Sequence, residues 1–212
     1  MNISDNNNHT GAVKMKKVGG IVLAFFLMAL ALNPVSATGS KGGNSYSHPY
    51  PYGIEPGDVI IGHNPISDLI IPGYWTHTGL IAYYDYDAND WVVVEAWDNP
   101  SAVRLVYLSD FLKRYDAVAI LRVDTTDAIR EAAVSFALQQ LGKPYDWKWW
   151  TKEVYGDSYY CSELVWASYM AASGGSVDLD AHPGFTWKYL KGVAPQEIYD
   201  DDDTYVIYYD SA

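Results

Sequence analysis

The only cysteine of the chain, Cys161, stands where a nucleophile would be useful. It opens the segment CSELVWASYMAA, whose pattern predicts a helix over residues 161–172 that ends at SGG. A thiol at a helix N-terminus lies near the positive end of the helix dipole, which favours the thiolate. A free cysteine is also a common small buried hydrophobe. Its position alone therefore leaves both interpretations open.

A nucleophilic thiol needs a base, and the chain offers five histidines. His77 opens the predicted strand in WTHTGLIAYYD (75–85), from whose end an imidazole can project into a cleft. We therefore take His77 as the candidate general base, with a structural histidine at a strand end as the alternative. The other four are expected in the N-terminal leader or in solvated loops: His9, His48, His63 and His182.

A third polar group would orient the imidazole, and Glu95 is the candidate. It lies in WVVVEAW (91–97), an otherwise apolar strand, on the same face as Trp91, Val93 and Trp97 by simple alternation. Burying a carboxylate without a partner is costly. Glu95 is therefore either paired in a cleft wall or exposed on a solvent-facing surface, and the sequence leaves both open.

The elements that would position these residues form an α+β pattern with an antiparallel sheet first. A helix capped by Thr125 or Thr126 is expected to end at Gly142 and Pro144, and the cysteine helix follows it. In the tail, Asp200–Asp203 is expected to be a solvated turn, with cation binding as the alternative, before an edge strand. The five earlier strands are predicted at residues 58–61, 75–85, 91–97, 101–108 and 117–123.

The N-terminal 37 residues have the pattern of a signal peptide. Three lysines precede the apolar run 21–32, and VSA (35–37) predicts cleavage after Ala37. A retained anchor is the alternative, although the run is shorter than the roughly 20 residues of a bilayer span. Residues 38–53 are predicted to be a flexible linker and residues 54–212 one domain. We expect a secreted or extracytoplasmic protein, with no stable membrane insertion after cleavage.

The predicted mature chain is strongly acidic, with 11 basic residues against 25 acidic ones, a formal charge of −14. This charge disfavours nucleic acid and anionic membrane surfaces as partners. With one cysteine the chain has no internal disulfide and no multi-cysteine zinc or haem site, and no cofactor or metal is expected. The 8 tryptophans and 19 tyrosines can line a polymer-binding cleft or pack in the core.

Five motifs occur in an informative order: PGDVIIG, YWTHTGLI, VVVEAW, LGKPYD and YYCSELVW. In this order they resemble the permuted papain-like cysteine hydrolases of the NlpC superfamily, in the branch related to lecithin:retinol acyltransferase-like proteins. The resemblance spans roughly residues 55–172. It implies a permuted papain-like (NlpC-type) fold, in which an antiparallel sheet or small barrel packs against the cysteine helix.

The resemblance also implies roles for particular residues. Cys161 corresponds to the nucleophile, His77 to the general base and Glu95 to the orienting group, while Tyr160 and Tyr74 are candidates for substrate binding. The expected function is an exported cysteine peptidase or amidase that acts on cell-wall or other extracellular peptides. An acyltransferase or lipid-amide or ester hydrolase of the same fold is one alternative. A non-catalytic binding module with an aromatic groove is another.

Overall fold

A computed structural model describes residues 45–65 and 71–212. The predicted signal peptide lies outside these residues. Within them, no helix is both long and apolar enough to cross a bilayer. This part of the chain forms six strands and four helices: β1 Val59–His63, β2 His77–Asp85, β3 Asp90–Asp98, β4 Ser101–Tyr107, α1 Leu108–Leu112, β5 Ala117–Val123, α2 Asp127–Gln139, α3 Cys161–Ser173, α4 Pro195–Asp200 and β6 Thr204–Ser211.

The six strands form one antiparallel sheet in the order β4-β3-β2-β1-β5-β6. The predicted α+β class and antiparallel sheet are therefore confirmed. The small barrel, offered as one form of the sheet, is wrong: in the described residues β4 and β6 are the two edges of an open sheet. Layers on both faces of the sheet bury its apolar side chains, so closure is not needed for this purpose.

Successive side chains of the strands point to opposite faces of the sheet and pack into two separate hydrophobic clusters, one on each face. On one face, residues such as Leu80 and Val94 pack with the apolar residues of α2 and α3. On the other face, residues such as Ile81 and Val93 pack with Phe111 of α1. Because β2 and β3 are covered on both sides, the backbone that carries the candidate base and carboxylate lies inside the domain.

The two long helices begin and end close to where their sequence signals predict. The Thr126 side chain accepts a hydrogen bond from the Ile129 N–H at the start of α2. At the start of α3 the Glu163 carboxylate accepts the N–H of Tyr160, and the helix ends at Gly174 in the left-handed region with φ 63°. The first nine residues of α3 are all buried, so this helix is a central element of the domain.

Two side chains of the predicted linker, those of His48 and Tyr50, are hydrogen-bonded to the domain. The His48 side chain, which was expected to be solvated, is buried: its Nδ1 lies 2.7 Å from Asp210 and its Nε2 2.9 Å from the carbonyl oxygen of Tyr115. The Tyr50 hydroxyl donates to Asp90 over 2.7 Å. The sheet and the loop after α1 thus provide polar partners for His48 and Tyr50, while the division of the chain into leader, linker and domain stays a prediction.

Candidate active site

Cys161 is the first residue of α3, and its side chain is buried beside the imidazole of His77. Burial favours the neutral thiol, but the charge and hydrogen bond of His77 outweigh it, so the pKa of Cys161 is lowered. Conversely, burial opposes protonation of His77, but Cys161 and Glu95 together raise the pKa of the imidazole. Both directions favour a thiolate–imidazolium pair.

His77 is the first residue of β2, and aromatic rings on several sides fix its imidazole. The Tyr115 ring is stacked on it with centroids 5.7 Å apart, and Trp97 meets it edge-on at 5.4 Å. Tyr115 reaches this place because Gly62, paired with His77 across the strands, lacks a side chain. A Cβ on Gly62 would lie 2.3 Å from the tyrosine ring.

The other side of the imidazole is bonded to Glu95. His77 Nε2 and Glu95 Oε2 are 2.9 Å apart, and since a carboxylate can only accept, Nε2–H is the donor. This bond fixes the tautomer and leaves Nδ1 as the nitrogen that can exchange a proton with the thiol of Cys161. Of the two interpretations of Glu95, the paired one holds: the carboxylate is fully buried, on the strand face that alternation predicted.

Two arginines that the sequence analysis did not single out hold the Glu95 carboxylate. Arg104 donates from Nε and Nη2 to Oε1 over 3.0 and 2.7 Å. Arg114 donates from Nη1 to Oε1 over 3.0 Å and from Nη2 to Oε2 over 2.8 Å. Burial alone would raise the pKa of Glu95, but Arg114 and His77 hold that pKa far below its usual range. The carboxylate is therefore a fixed anion.

The pairing of Arg104 with Glu95 could have been predicted from the sequence. The β3–β4 hairpin pairs Asp98 with Ser101 next to the turn. Three residues farther from the turn on each strand, Glu95 pairs with Arg104. The strand lengths and the two-residue turn thus place the opposite charge directly across from the carboxylate. Arg114 follows α1 in a loop, where no periodicity indicates a direction.

The arginines also give the site an excess of positive charge. Two guanidinium groups face one carboxylate, so this cluster carries a formal charge of +1 beside the thiol–imidazole pair. The Trp97 ring covers both cations, with centroid distances of 4.2 Å to Arg104 and 4.7 Å to Arg114. A buried positive cluster favours the thiolate form of a nearby cysteine.

Two cavities of different character meet at Cys161. The larger, about 280 Å³, is walled mainly by aromatic and apolar side chains: Ile71, Pro72, Tyr145, Trp147, Trp149, Tyr160, Tyr189, Val193, Ala194 and Pro195. The smaller, about 110 Å³, contains His77 and is more polar, with Asn64, Thr76, Asp98 and Arg114 in its wall. Tyr145 and Asp98 line both, so they mark the junction beside the thiol.

The two candidate substrate-binding tyrosines have different positions. Tyr160 lines the larger cavity, and its hydroxyl accepts the N–H of Val193 over 2.9 Å, which fixes the opposite wall. Tyr74 is half exposed, its ring stacks on His63 at 4.0 Å, and it is not among the described residues that line either cavity. The structure therefore does not bring Tyr74 to the thiol.

The remaining histidines lie apart from this site. His63, which was expected in a solvated loop, is buried with its Nδ1 2.6 Å from Asp116. That prediction is wrong because the strand β1 extends through His63 and a carboxylate is available beside it. His182 is exposed, as expected. The described residues contain no group of three or more His, Cys, Asp or Glu side chains arranged to hold a metal, and this includes the Asp200–Asp203 turn.

Comparison with known proteins agrees with this fold. No curated protein matches the chain. A similar solved structure is the crystal structure of the metalloprotein yiiX from Escherichia coli O157:H7, which is 19% identical. The match covers 74% of this chain and 98% of that one, with a TM-score of 0.59, and at this identity it shows the fold alone. The model of the permuted papain-like amidase family C92 (YaeF/YiiX) matches residues 53–208, and the chain belongs to that family.

Proposed function

We propose that this chain is a thiol amidase whose nucleophile is Cys161, whose general base is His77 and whose orienting group is Glu95. The observation that carries the proposal is the position of the imidazole, which contacts the thiol on one side and the buried carboxylate on the other. A merely structural histidine needs neither neighbour. A buried cysteine that only fills space needs no base and no positive cluster beside it.

In the first half of the reaction, His77 Nδ1 takes the proton of the thiol and the sulfur attacks the amide carbonyl carbon. The carbonyl oxygen becomes an oxyanion, which backbone N–H groups at the start of α3 can stabilise. The tetrahedral intermediate collapses, the C–N bond breaks and the imidazolium gives its proton to the departing amine. A thioester between Cys161 and the acyl group remains.

In the second half, His77 removes a proton from a water molecule that attacks the thioester carbonyl. The C–S bond then breaks, the sulfur recovers the proton from His77, and the carboxylic acid leaves. Throughout both halves the Glu95 carboxylate holds the imidazole in the tautomer whose Nδ1 is free to accept a proton, and it stabilises the imidazolium.

The two cavities suggest how the substrate is oriented. The leaving amine must lie within reach of His77, and only the smaller, polar cavity contains His77. The acyl part would then occupy the larger aromatic cavity on the Cys161 side. We propose an exported or cell-envelope enzyme that acts on extracellular amides, including peptides of the cell wall. Hydrolysis of a lipid amide is a second candidate, favoured by the aromatic character of the acyl cavity.

The test compares wild type, Cys161→Ala and His77→Ala on isolated wall peptides and on N-acyl amino acids of increasing chain length. His182→Ala is the matched control, because His182 is exposed and lines neither cavity. We expect hydrolysis by wild type and by the control only. Since Cys161 is the single cysteine, mass spectrometry of iodoacetamide-treated protein reports its reactivity directly. Equal hydrolysis by wild type and Cys161→Ala would refute the mechanism.

A further inference from the structure

Every exposed tryptophan of this protein belongs to one of two loops beside the larger cavity. Of the 8 tryptophans, Trp75, Trp97 and Trp166 are buried and Trp91 is partly buried. The exposed ones, together with the exposed Phe185, form a set that we call the aromatic collar: Trp147, Trp149, Trp150, Phe185 and Trp187. Trp147 is 64% exposed and Trp187 is 92% exposed, so these rings are not packed in the hydrophobic core.

The two loops of the collar lie side by side. The Lys191 N–H donates to the carbonyl oxygen of Trp150 over 3.2 Å. Gly192 lies so close to the first loop that a Cβ on it would be 2.0 Å from the carbonyl oxygen of Trp149. In the second loop, reciprocal backbone bonds between Thr186 and Leu190 close a tight turn that carries Trp187 outward. Backbone contacts within and between the two loops therefore hold the exposed rings in defined positions.

This surface is continuous with the proposed acyl site. Trp147 and Trp149 belong both to the collar and to the wall of the larger cavity, and Tyr189 of the second loop lines the same wall. A molecule held against the collar would therefore lie next to the aromatic cavity that leads to Cys161.

The charge of the collar is opposite to that of the whole chain. Among the described residues, four lysines are exposed, and three of them lie in the two loops: Lys148, Lys188 and Lys191. The loop segments 145–151 and 183–192 contain these three lysines and one acidic residue, Asp146, so their formal charge is +2. Tryptophan and lysine side by side are the composition that binds the interface of a phospholipid bilayer.

We propose that the aromatic collar docks this protein onto a phospholipid bilayer, with the aromatic rings at the headgroup level and the lysines against lipid phosphates. Docking of this kind is peripheral and requires no spanning helix. A glycan strand is the other natural partner for exposed rings, but it needs carboxylates and amides to bond its hydroxyls. Asp146 is the only such side chain in the two loops. The overall acidity does not prevent docking, because charges beyond about 8 Å are screened at physiological salt.

The first experiment measures partition of the full chain, as wild type and as Cys161→Ala, onto vesicles of phosphatidylcholine and of an equimolar mixture with phosphatidylglycerol. We expect equal binding by the two proteins, because docking does not require catalysis, and stronger binding to the anionic vesicles. Trp150→Ser combined with Trp187→Ser should weaken partition about tenfold or more. Neither residue lines the cavity. The matched control, Tyr52→Ser with Tyr86→Ser, removes two exposed rings elsewhere and should bind as wild type does.

The second experiment identifies the segment that touches lipid. Brominated phosphatidylcholine should quench the tryptophan emission of wild type, and the Trp150/Trp187 variant should lose much of this quenching. Lys188→Glu with Lys191→Glu should remove the preference for phosphatidylglycerol. Sedimentation with vesicles but without quenching would assign binding to another segment and would overturn the proposal. Absence of partition, binding to isolated cell-wall glycan that the double tryptophan variant abolishes, or self-association through the collar would each overturn it as well.

Discussion

Replacing Glu95 by glutamine tests the site most severely, because the change keeps the size of the side chain and removes only its charge and one acceptor. The carboxylate now accepts five hydrogen bonds, from His77 and from two groups each of Arg104 and Arg114. If the amide oxygen takes the position of Oε1, the amide NH₂ faces Arg114 Nη2 and His77 Nε2. The NH₂ then opposes the Arg114 donor, and it can bond His77 only if the imidazole proton moves to Nδ1, so two charge-assisted bonds are lost.

The expected loss of stability follows from this geometry. Hydrogen bonds to charged groups contribute about 1.5–3 kcal/mol each, so losing two costs about 3–6 kcal/mol. An overlapping loss of about 3–5 kcal/mol is expected when one partner of a buried ion pair is removed, because Arg104 and Arg114 remain buried without a counterion. For a domain of this size, such a loss lowers the melting temperature by roughly 10 °C or more. Adding Arg104→Met to Glu95→Gln should restore part of the stability by removing one uncompensated cation.

Catalysis should fall for a separate reason. Glutamine can donate its NH₂ to Nε2 of His77, which moves the imidazole proton to Nδ1, so that the nitrogen facing the thiol can no longer act as a base. We expect kcat/KM to decrease by about three to four orders of magnitude, by analogy with other triads. The assays are urea unfolding and amide hydrolysis below the melting temperature, with exposed Glu131→Gln as the control. A folded variant that loses less than about 1 kcal/mol and retains its activity would refute the reasoning.

Three further predictions concern the thiol, a second carboxyl group and the loop contact. His77 lowers the pKa of the Cys161 thiol, so the alkylation rate of wild type should reach its plateau at a lower pH than that of His77→Ala, which should still rise towards about pH 8.5. Superimposable pH profiles for the two proteins would contradict this. Burial, and then Asp180, raises the pKa of Glu197 to about 7. The stabilisation by the protonated Glu197 carboxyl is therefore complete below the pKa of an unfolded glutamate, about 4.3, and is lost as pH rises through 7. In urea unfolding, Glu197→Gln should be about 1–2 kcal/mol more stable than wild type at pH 8 and no more stable than wild type at pH 4. An equal difference at both pH values would exclude titration as the cause. In Gly192→Ala the new Cβ would lie 2.0 Å from the carbonyl oxygen of Trp149, so this oxygen must move. We expect the free energy of unfolding to fall by about 1–3 kcal/mol and KM to rise. Unchanged unfolding and kinetics would show that the two loops are independent.

The sequence predicted the framework of the site because the signals for it are local. Alternation in β3 set the face of Glu95, and the caps of α2 and α3 set the ends of both helices. The open form of the sheet and the burial of His48 depend on packing between segments that are far apart in the chain. No local pattern contains such information.

The two arginine partners of Glu95 differ in whether a local sequence pattern predicts them. Arg104 could have been found, because a two-residue hairpin fixes which residues oppose each other and the apolar strand SAVRLVY contains one charge. Arg114 could not, since it follows a five-residue helix and its direction is set by tertiary packing. Thus a charge inside a regular strand can be traced to its partner by counting, but a charge in a loop cannot.

The distribution of the basic residues explains why the formal charge of −14 of the predicted mature chain is a poor guide to the partners of this protein. Three of the four arginines are buried and hold carboxylates or carbonyl oxygens in the interior, as Arg104 and Arg114 do at Glu95. These cations contribute little to the field outside, but Arg104 and Arg114 hold the Glu95 carboxylate that is hydrogen-bonded to His77. Three of the four exposed lysines in the described residues stand instead among the aromatic rings at the larger cavity. Since screening limits each surface charge to its own neighbourhood, a small positive aromatic surface can act independently of the acidic remainder. Charge reversal at Lys188 and Lys191 should therefore change the lipid preference of the protein without changing the alkylation rate of Cys161.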